Sequence, residues 1–127
     1  MRLSFLVPLA VTFALASPCA PAASASLSGK PIRIIVGFPA GSTGDLIARI
    51  RSPGLAQRLG QPVIVENRPG AGSTLAADDV ARAQPDGDTL LLSTTANIIN
   101  PDLYPNLRFS FTKDLTPVML IAEAPVV

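Results

Sequence analysis

Short apolar segments that alternate with longer, helix-like segments are the feature that most constrains the fold of this chain. The first apolar segment, IRIIVGF at residues 32–38, is β-branched and apolar almost throughout, as is typical of a strand covered on both faces. Crossover helices provide such cover when they connect parallel strands. The order β-α-β-α-β-(short helix)-β therefore predicts an α/β fold, a parallel sheet with flanking helices.

Apolar periodicity and turn residues set the limits of the predicted elements. Residues 45–59 have the spacing of an amphipathic helix, and Gly60 follows where a helix ends. Pro53-Gly54 interrupts this helix, which predicts a kink or two shorter pieces. The remaining predictions are strands at residues 63–65, 90–92 and 117–122, a helix at residues 75–83 capped by Ser73 or Thr74, a turn at residues 85–87, and a helical turn from Pro101 through Tyr104.

The chain has few residues that support catalysis or metal binding. Histidine is absent and Cys19 is the single cysteine, so a histidine base, a His/Cys zinc site and an internal disulfide are ruled out, and a cysteine nucleophile lacks its partner. Ten Lys and Arg residues against nine Asp and Glu residues leave no charge excess to hold a nucleic acid or an anionic membrane. Acid–base catalysis would have to depend on carboxylates, Lys113 or Tyr104. We expect no metal, no cofactor and no nucleic-acid partner.

The N-terminal residues have the layout of a secretory signal peptide. Arg2 precedes an apolar stretch at residues 3–16 that is too short for a comfortable membrane span, and small residues with proline follow it. Cleavage after Ala25 is the first prediction and cleavage after Ala22 the second, while a retained N-terminal anchor is the alternative. We therefore predict a signal peptide at residues 1–25 and an exported chain at residues 26–127.

The segments that follow the predicted strands are candidate binding loops, because ligands of parallel α/β sheets bind beyond the carboxyl ends of the strands. The segment at residues 38–45 contains two glycines and leads into a helix. Its N–H groups and the hydroxyls of Ser42 and Thr43 can converge on a carboxylate or phosphate. The alternative is structural: the glycines permit a tight turn and a hydroxyl caps the helix. No complete dinucleotide fingerprint or Walker motif occurs in the sequence.

Longer motifs occur in a defined order, namely PIRIIVGFPAGSTGD at residues 31–45, IAR at 47–49, RLGQPVIVENRPGAG at 58–72, PDG at 85–87, TLLLS at 89–93 and NPDLY at 100–104. In this order and spacing they resemble the Bug family, the extracytoplasmic solute receptors of tripartite tricarboxylate transporters, also called TctC-like proteins. The resemblance covers residues 30–127, and the run at residues 60–72 is highly specific. It implies the first-lobe portion of a two-lobed periplasmic-binding-protein fold of the type II-like kind.

The resemblance implies a periplasmic receptor without catalytic activity, whose lobes close on a small carboxylate-bearing solute and deliver it to membrane permease subunits. In the family, the loops after the first and third strands hold a ligand carboxylate through backbone and hydroxyl groups, partly through ordered water. Asp45 is implied as an orienting or ligand-sensing residue. The ligand-binding residues carried over in this way are Phe38, Pro39, Ala40, Gly41, Ser42, Thr43, Asp45, Ser93 and Thr94.

The sequence departs from the family pattern in its loops and in its length. Ser42 takes the place of the second of two glycines after Pro-Ala, and Ser73 stands where a third glycine of the second loop is usual. Family members are more than twice as long, so residues 26–127 are expected to be a partial N-terminal lobe of a truncated receptor. Two alternatives stay open: a fragment of a Rossmann-type nucleotide- or phosphate-dependent enzyme, and a truncation product without function.

Overall fold

The computed structural model describes residues 29–123 of the chain. Its elements, in chain order, are β1 (Ile32–Val36), α1 (Thr43–Leu59), β2 (Val63–Asn67), a 3-10 turn (Ala71–Ser73), α2 (Thr74–Ala81), β3 (Thr89–Leu92) and α3 (Thr95–Leu103). The predicted signal peptide at residues 1–25 lies outside the described residues. Among residues 29–123, no helix has both the length and the apolar character needed to cross a membrane.

The three strands form one parallel sheet in the order β2-β1-β3. The central strand β1 pairs on one side with β2, Ile32 opposite Val63, and on the other side with β3, Arg33 opposite Thr89. Helices connect the successive strands, so the predicted α/β class with a parallel sheet is confirmed. The connection through α1 runs from β1 to β2, and the connection through α2 runs in the opposite direction, from β2 across β1 to β3. Because both crossovers are right-handed, α1 and α2 lie on opposite faces of the sheet.

The apolar residues of β1 point alternately to the two faces of the sheet. Ile34 and Val36 pack with Ala48 of α1 and Leu92 of β3 in one buried cluster. Ile35 lies on the opposite face, where α2 contacts β1 and β3, and it is only 2% exposed. A strand between two helical layers needs apolar residues on both sides, which explains why this segment lacks polar alternation.

Helix α1 is continuous, so the expectation of two shorter helices is wrong. Pro53 lies inside the helix and removes one backbone hydrogen bond. Ile47 and Leu55, on either side of Pro53, pack against the same core cluster, and this shared packing holds the two halves of the helix together. Gly60 ends the helix as predicted, with a φ of +67° and its N–H bonded back into the last turn at 2.9 Å.

Two further predictions are wrong. Residues 117–122 do not form a fourth strand, and Val118 and Leu120 are 75% and 72% exposed. A strand needs backbone hydrogen bonds to a neighbouring strand, and residues 117–122 do not pair with the free edge of β3. Pro101 does not open a helical turn, because α3 already begins at Thr95 and contains Pro101 near its end.

An ion pair joins β1 to β2 on the α2 face of the sheet. Arg33 donates from Nε and Nη2 to the two carboxylate oxygens of Glu66 at 2.7 and 2.8 Å. These hydrogen bonds lower the pKa of Glu66 below its ordinary value. Arg68 lies farther from Glu66, at 4.0 Å, and its other guanidinium nitrogen is 3.8 Å from Asp79. The pair therefore links two strands through residues that are 33 positions apart in sequence.

We expect Glu66→Gln to lower the free energy of unfolding by less than about 1 kcal/mol. The side chains of Arg33 and Glu66 are 43% and 31% exposed, so water screens their attraction. Urea denaturation at neutral pH, followed by far-UV circular dichroism, measures the difference. A loss above about 2 kcal/mol would show that the pair behaves as a buried one.

Candidate functional site

The order of the strands identifies one edge of the sheet as the candidate site. β1 lies between two strands that are reached by crossovers in opposite directions. In open α/β sheets, ligands bind outside the carboxyl ends of the strands at such a point. Two segments flank it here: loop 1, which we define as residues 37–42 after β1, and loop 3, residues 93–94 after β3.

Loop 1 makes a tight turn that exposes its tip. The N–H of Ser42 donates to the Pro39 carbonyl at 3.2 Å, and Gly41 has a φ of +83°. Glycine is strongly favoured at this position of a type II turn because φ must be positive there. Pro39, Ala40 and Gly41 are exposed, whereas Phe38 is half-buried and packs against the core cluster. The tip of the loop is thus open to a ligand while the core holds its base.

Helix α1 begins directly after loop 1. Ser42 is its N-cap, and the Ser42 Oγ accepts a hydrogen bond from the N–H of Asp45 at 3.4 Å. The N–H groups of Thr43 and Gly44 belong to the first turn, where a helix supplies no backbone acceptor. Such N–H groups, together with the helix dipole, favour an anionic group at the N-terminus. Ser42 therefore caps the helix, as the structural alternative predicted, and the N–H groups of the first turn are still available to a carboxylate.

Loop 3 lies next to the start of α1. A Cβ on Gly44 would be only 3.2 Å from Cδ2 of Leu92, the last residue of β3. Ser93 follows and is exposed, while Thr94 is half-buried and is the N-cap of α3. The N–H of Thr94 donates to Oδ1 of Asn97 at 3.0 Å. Two helix N-termini therefore meet at this edge of the sheet, and neither loop 1 nor loop 3 contains a charged residue.

Asp45 lies behind loop 1 and is only 2% exposed. Its Oδ2 accepts from the Gly41 N–H at 2.8 Å, both oxygens accept from Arg49 Nε at 2.9 and 3.0 Å, and Oδ1 accepts from Asn67 Nδ2 at 2.9 Å. The Arg49 guanidinium, the Gly41 N–H and the Asn67 amide lower the pKa of Asp45 to about 2. This carboxylate is ionised at neutral pH, and its bond from the Gly41 N–H connects it to loop 1.

A further loop, loop 2 at residues 68–73, crosses over the end of β1. A Cβ on Gly37 would overlap the Ser73 side chain and lie 2.7 Å from its Cα, so the crossing requires glycine at this position. Ala71 and Ser73 have φ values of +45° and +74°, which side chains rarely adopt. Two buried asparagines of α3 hold this backbone. Asn97 Nδ2 donates to Ser73 Oγ at 3.1 Å, and Asn100 Nδ2 donates to a loop carbonyl at 2.7 Å.

A groove of about 730 Å³ lies along the side of the sheet and reaches the strand-end loops at Ser93 of loop 3. It runs along β3 between the end of α2 and residues 111–119, and Leu91, Phe111 and Val118 contribute to its mainly apolar lining. Of the predicted ligand-binding residues, Ser93 alone lines it. Apolar walls at the side of the sheet do not suit a carboxylate, so we do not assign this groove to the predicted solute.

The structure places the predicted residues of loops 1 and 3 at one edge of the sheet, with Asp45 behind loop 1. Sequence reasoning missed Arg49 and Asn67, which hold Asp45. The four-residue spacing of Asp45 and Arg49 was a signal for a helical ion pair. No local pattern indicates Asn67, which is 22 residues from Asp45. In the part of the chain that the structure describes, no group of three or more His, Cys, Asp or Glu residues could hold a metal ion.

Known sequences match this chain over most of its length. The family described as "Tripartite tricarboxylate transporter family receptor" matches residues 47–127. A UPF0065 protein of Bordetella pertussis is 44% identical over 117 residues, which are 91% of this chain and 36% of the relative. Protein BugT of Bordetella pertussis is 36% identical over 124 residues, which are 96% of this chain and 38% of the relative. The chain thus spans little more than a third of the length of these curated relatives.

Solved structures show the same similarity in three dimensions. A structure described as that of a periplasmic transporter is 43% identical, with a TM-score of 0.63, over 66% of this chain and 29% of that one. MatC from Rhodopseudomonas palustris with bound malate is 39% identical, also with a TM-score of 0.63, over 72% of this chain and 32% of that one. The similarity therefore extends from the sequence to the fold.

Proposed function

Since this chain belongs to the tripartite tricarboxylate transporter receptor family, we propose that it captures a small carboxylate-bearing solute for a transporter of this kind. One observation carries the proposal: loops 1 and 3 lie side by side at the carboxyl edge of the sheet, and each leads into a helix N-terminus. Backbone N–H groups and helix dipoles at such an edge attract a carboxylate. The malate bound to the structurally similar MatC belongs to this chemical class.

Neutral donors hold the solute in this proposal. Its carboxylate accepts hydrogen bonds from N–H groups at the tip of loop 1 and the start of α1, and from hydroxyl groups, directly or through ordered water. Because loops 1 and 3 contain no Lys or Arg, helix dipoles supply the electrostatic attraction. The proposed contact residues are Phe38, Pro39, Ala40, Gly41, Ser42, Thr43, Ser93 and Thr94, with Asp45 orienting loop 1.

In this proposal residues 26–127 are part of an N-terminal lobe, which supplies one wall of the solute cleft. A signal peptide at residues 1–25 exports the chain, and the receptor acts in the periplasm. There it delivers its solute to the membrane permease subunits of the tripartite transporter. Capture and release make or break no covalent bond, so the proposed activity is binding and not catalysis. The family match does not favour the Rossmann-type enzyme alternative.

Calorimetric titration of the chain tests the proposal. L-malate is the first probe, followed by other dicarboxylates, tricarboxylates and acidic amino acids. We expect saturable binding of at least one of these acids. A sample that circular dichroism shows to be folded, and that binds no member of the panel, would contradict the proposal.

A substitution in loop 3 tests the location of the site. Ser93→Ala is expected to weaken binding about three- to tenfold, because it removes one neutral hydrogen-bond donor. The Ser93 Oγ makes only a 3.5 Å contact with the Thr94 carbonyl, so the fold should tolerate the change. Gln57→Ala, on an exposed position near the end of α1, is the matched control. Equal affinities of the Ser93→Ala and Gln57→Ala variants would show that Ser93 does not contact the solute.

A further inference from the structure

We propose that Asn67 is a positioning residue of the solute site, which sets the backbone of loop 1 through Phe38 and Asp45. The inference rests on the proposed solute binding and concerns a residue outside loops 1 and 3. Asn67 is the last residue of β2 and lies opposite Val36 in the sheet register. Its side chain therefore starts beside the base of loop 1, on a strand whose position the sheet holds.

The side-chain amide of Asn67 connects three groups. Nδ2 donates to the Phe38 carbonyl at 3.1 Å and to Asp45 Oδ1 at 2.9 Å, and Oδ1 accepts from Arg49 Nη2 at 3.0 Å. Two acceptors face the NH₂ group and one donor faces the oxygen, so a single orientation of the amide satisfies all three neighbours. Both N–H groups of the amide are used, and a change of chemistry here must leave a neighbour without its partner.

The cluster holds loop 1 at two points. Asn67 binds the Phe38 carbonyl, and Asp45 Oδ2 binds the Gly41 N–H at 2.8 Å. Pro39 and Ala40, between these points, are exposed. Fixing both sides of the turn sets the direction in which its tip presents N–H groups. A loop already held in its binding conformation loses less entropy when a solute binds.

Arg49 balances the charge of the cluster. Its guanidinium bonds to Asp45 through Nε and to Asn67 through Nη2, so it neutralises the carboxylate that lies directly behind loop 1. Without this cation, Asp45 would repel the carboxylate of a solute. Asn67 keeps the guanidinium and the carboxylate together and at the same time connects them to the loop backbone.

Asn67→Asp tests the positioning role, with Glu66→Gln as the matched control. The substitution places a negatively charged acceptor against the Phe38 carbonyl and Asp45. We expect the affinity for L-malate, or for the acid of the panel that the unsubstituted chain binds, to fall about tenfold or more. In the solute-free chain, the ¹H–¹⁵N resonances of Gly41 and Ser42 should shift. Glu66 is one residue earlier and faces the other side of the sheet, so Glu66→Gln should leave the affinity and both resonances unchanged.

A second variant covers the case in which Asn67→Asp fails to fold. Asn67→Ser removes the amide bonds to Phe38, Asp45 and Arg49 without adding a charge, and a smaller loss of affinity with shifted Gly41 and Ser42 resonances is expected. Unchanged resonances or unchanged affinity in a folded Asn67 variant would overturn the positioning role. If the unsubstituted chain binds no acid, the proposed function fails, and the resonances of Gly41 and Ser42 alone decide whether Asn67 sets the loop.

Discussion

Gly37→Ala is expected to lower the free energy of unfolding by about 3 kcal/mol or more, a large part of the stability of a small domain. The new methyl group would overlap the Ser73 side chain and lie 2.7 Å from the Ser73 Cα. Ser73 is 1% exposed and is bonded to Asn97, so it has little room to move away. Urea denaturation followed by circular dichroism measures the loss.

Two companion variants separate this steric conflict from a general effect of alanine. Gly54→Ala lies inside α1, where the added Cβ would meet no atom within 4 Å, and it is expected to stabilise the chain by up to about 1 kcal/mol. Adding Ser73→Gly to Gly37→Ala removes two of the three overlapping atoms and should restore part of the stability. A Gly37→Ala variant as stable as the unsubstituted chain would show that loop 2 does not cross β1 at this point.

Asp45→Asn is expected to lower Tm by roughly 5–10 °C at neutral pH. The groups that face the carboxylate are all donors: the Gly41 N–H, the Arg49 guanidinium and the Asn67 NH₂. Whichever way the new amide is turned, its NH₂ group must therefore face a donor. Asp102→Asn, an exposed carboxylate of α3, is the matched control and should change Tm little. Equal Tm values for the two variants would show that the Asp45 cluster does not stabilise the fold.

Measurements at acid pH test the contribution of the Asp45 carboxylate to stability in a second way. The pKa of Asp45 in the folded chain, about 2, lies below its ordinary value of 3.8, so between these values the unfolded chain binds the proton more readily. The stability that this carboxylate provides is therefore complete above about pH 4 and is lost as the pH falls toward 2. The difference in Tm between the unsubstituted chain and Asp45→Asn should shrink over this range. A difference that stays constant would contradict the low pKa.

The position of the candidate loops could be predicted because it follows from local patterns. Residues 38–45 combine a glycine-containing turn, hydroxyl groups and the start of a helix, all of which are visible in the sequence. Parallel strands bring such segments to one edge, and the structure shows loops 1 and 3 there. The hydrogen-bond partners of Asp45 were harder to predict from the sequence. Arg49 is one helical turn away, whereas Asn67 becomes a neighbour because β2 pairs with β1.

The sequence by itself determined the local structure: the apolar strands, the helix that ends at Gly60 and the parallel α/β class. These features depend on side-chain periodicity and on backbone angles of single residues, and both can be read from neighbouring positions. The tertiary structure alone decided the strand order β2-β1-β3, the crossing of loop 2 over Gly37 and the bonds of Asn67 to loop 1. It also decided against a strand at residues 117–122, because this segment does not pair with the free edge of β3 and a strand forms only where its backbone hydrogen-bonds to another.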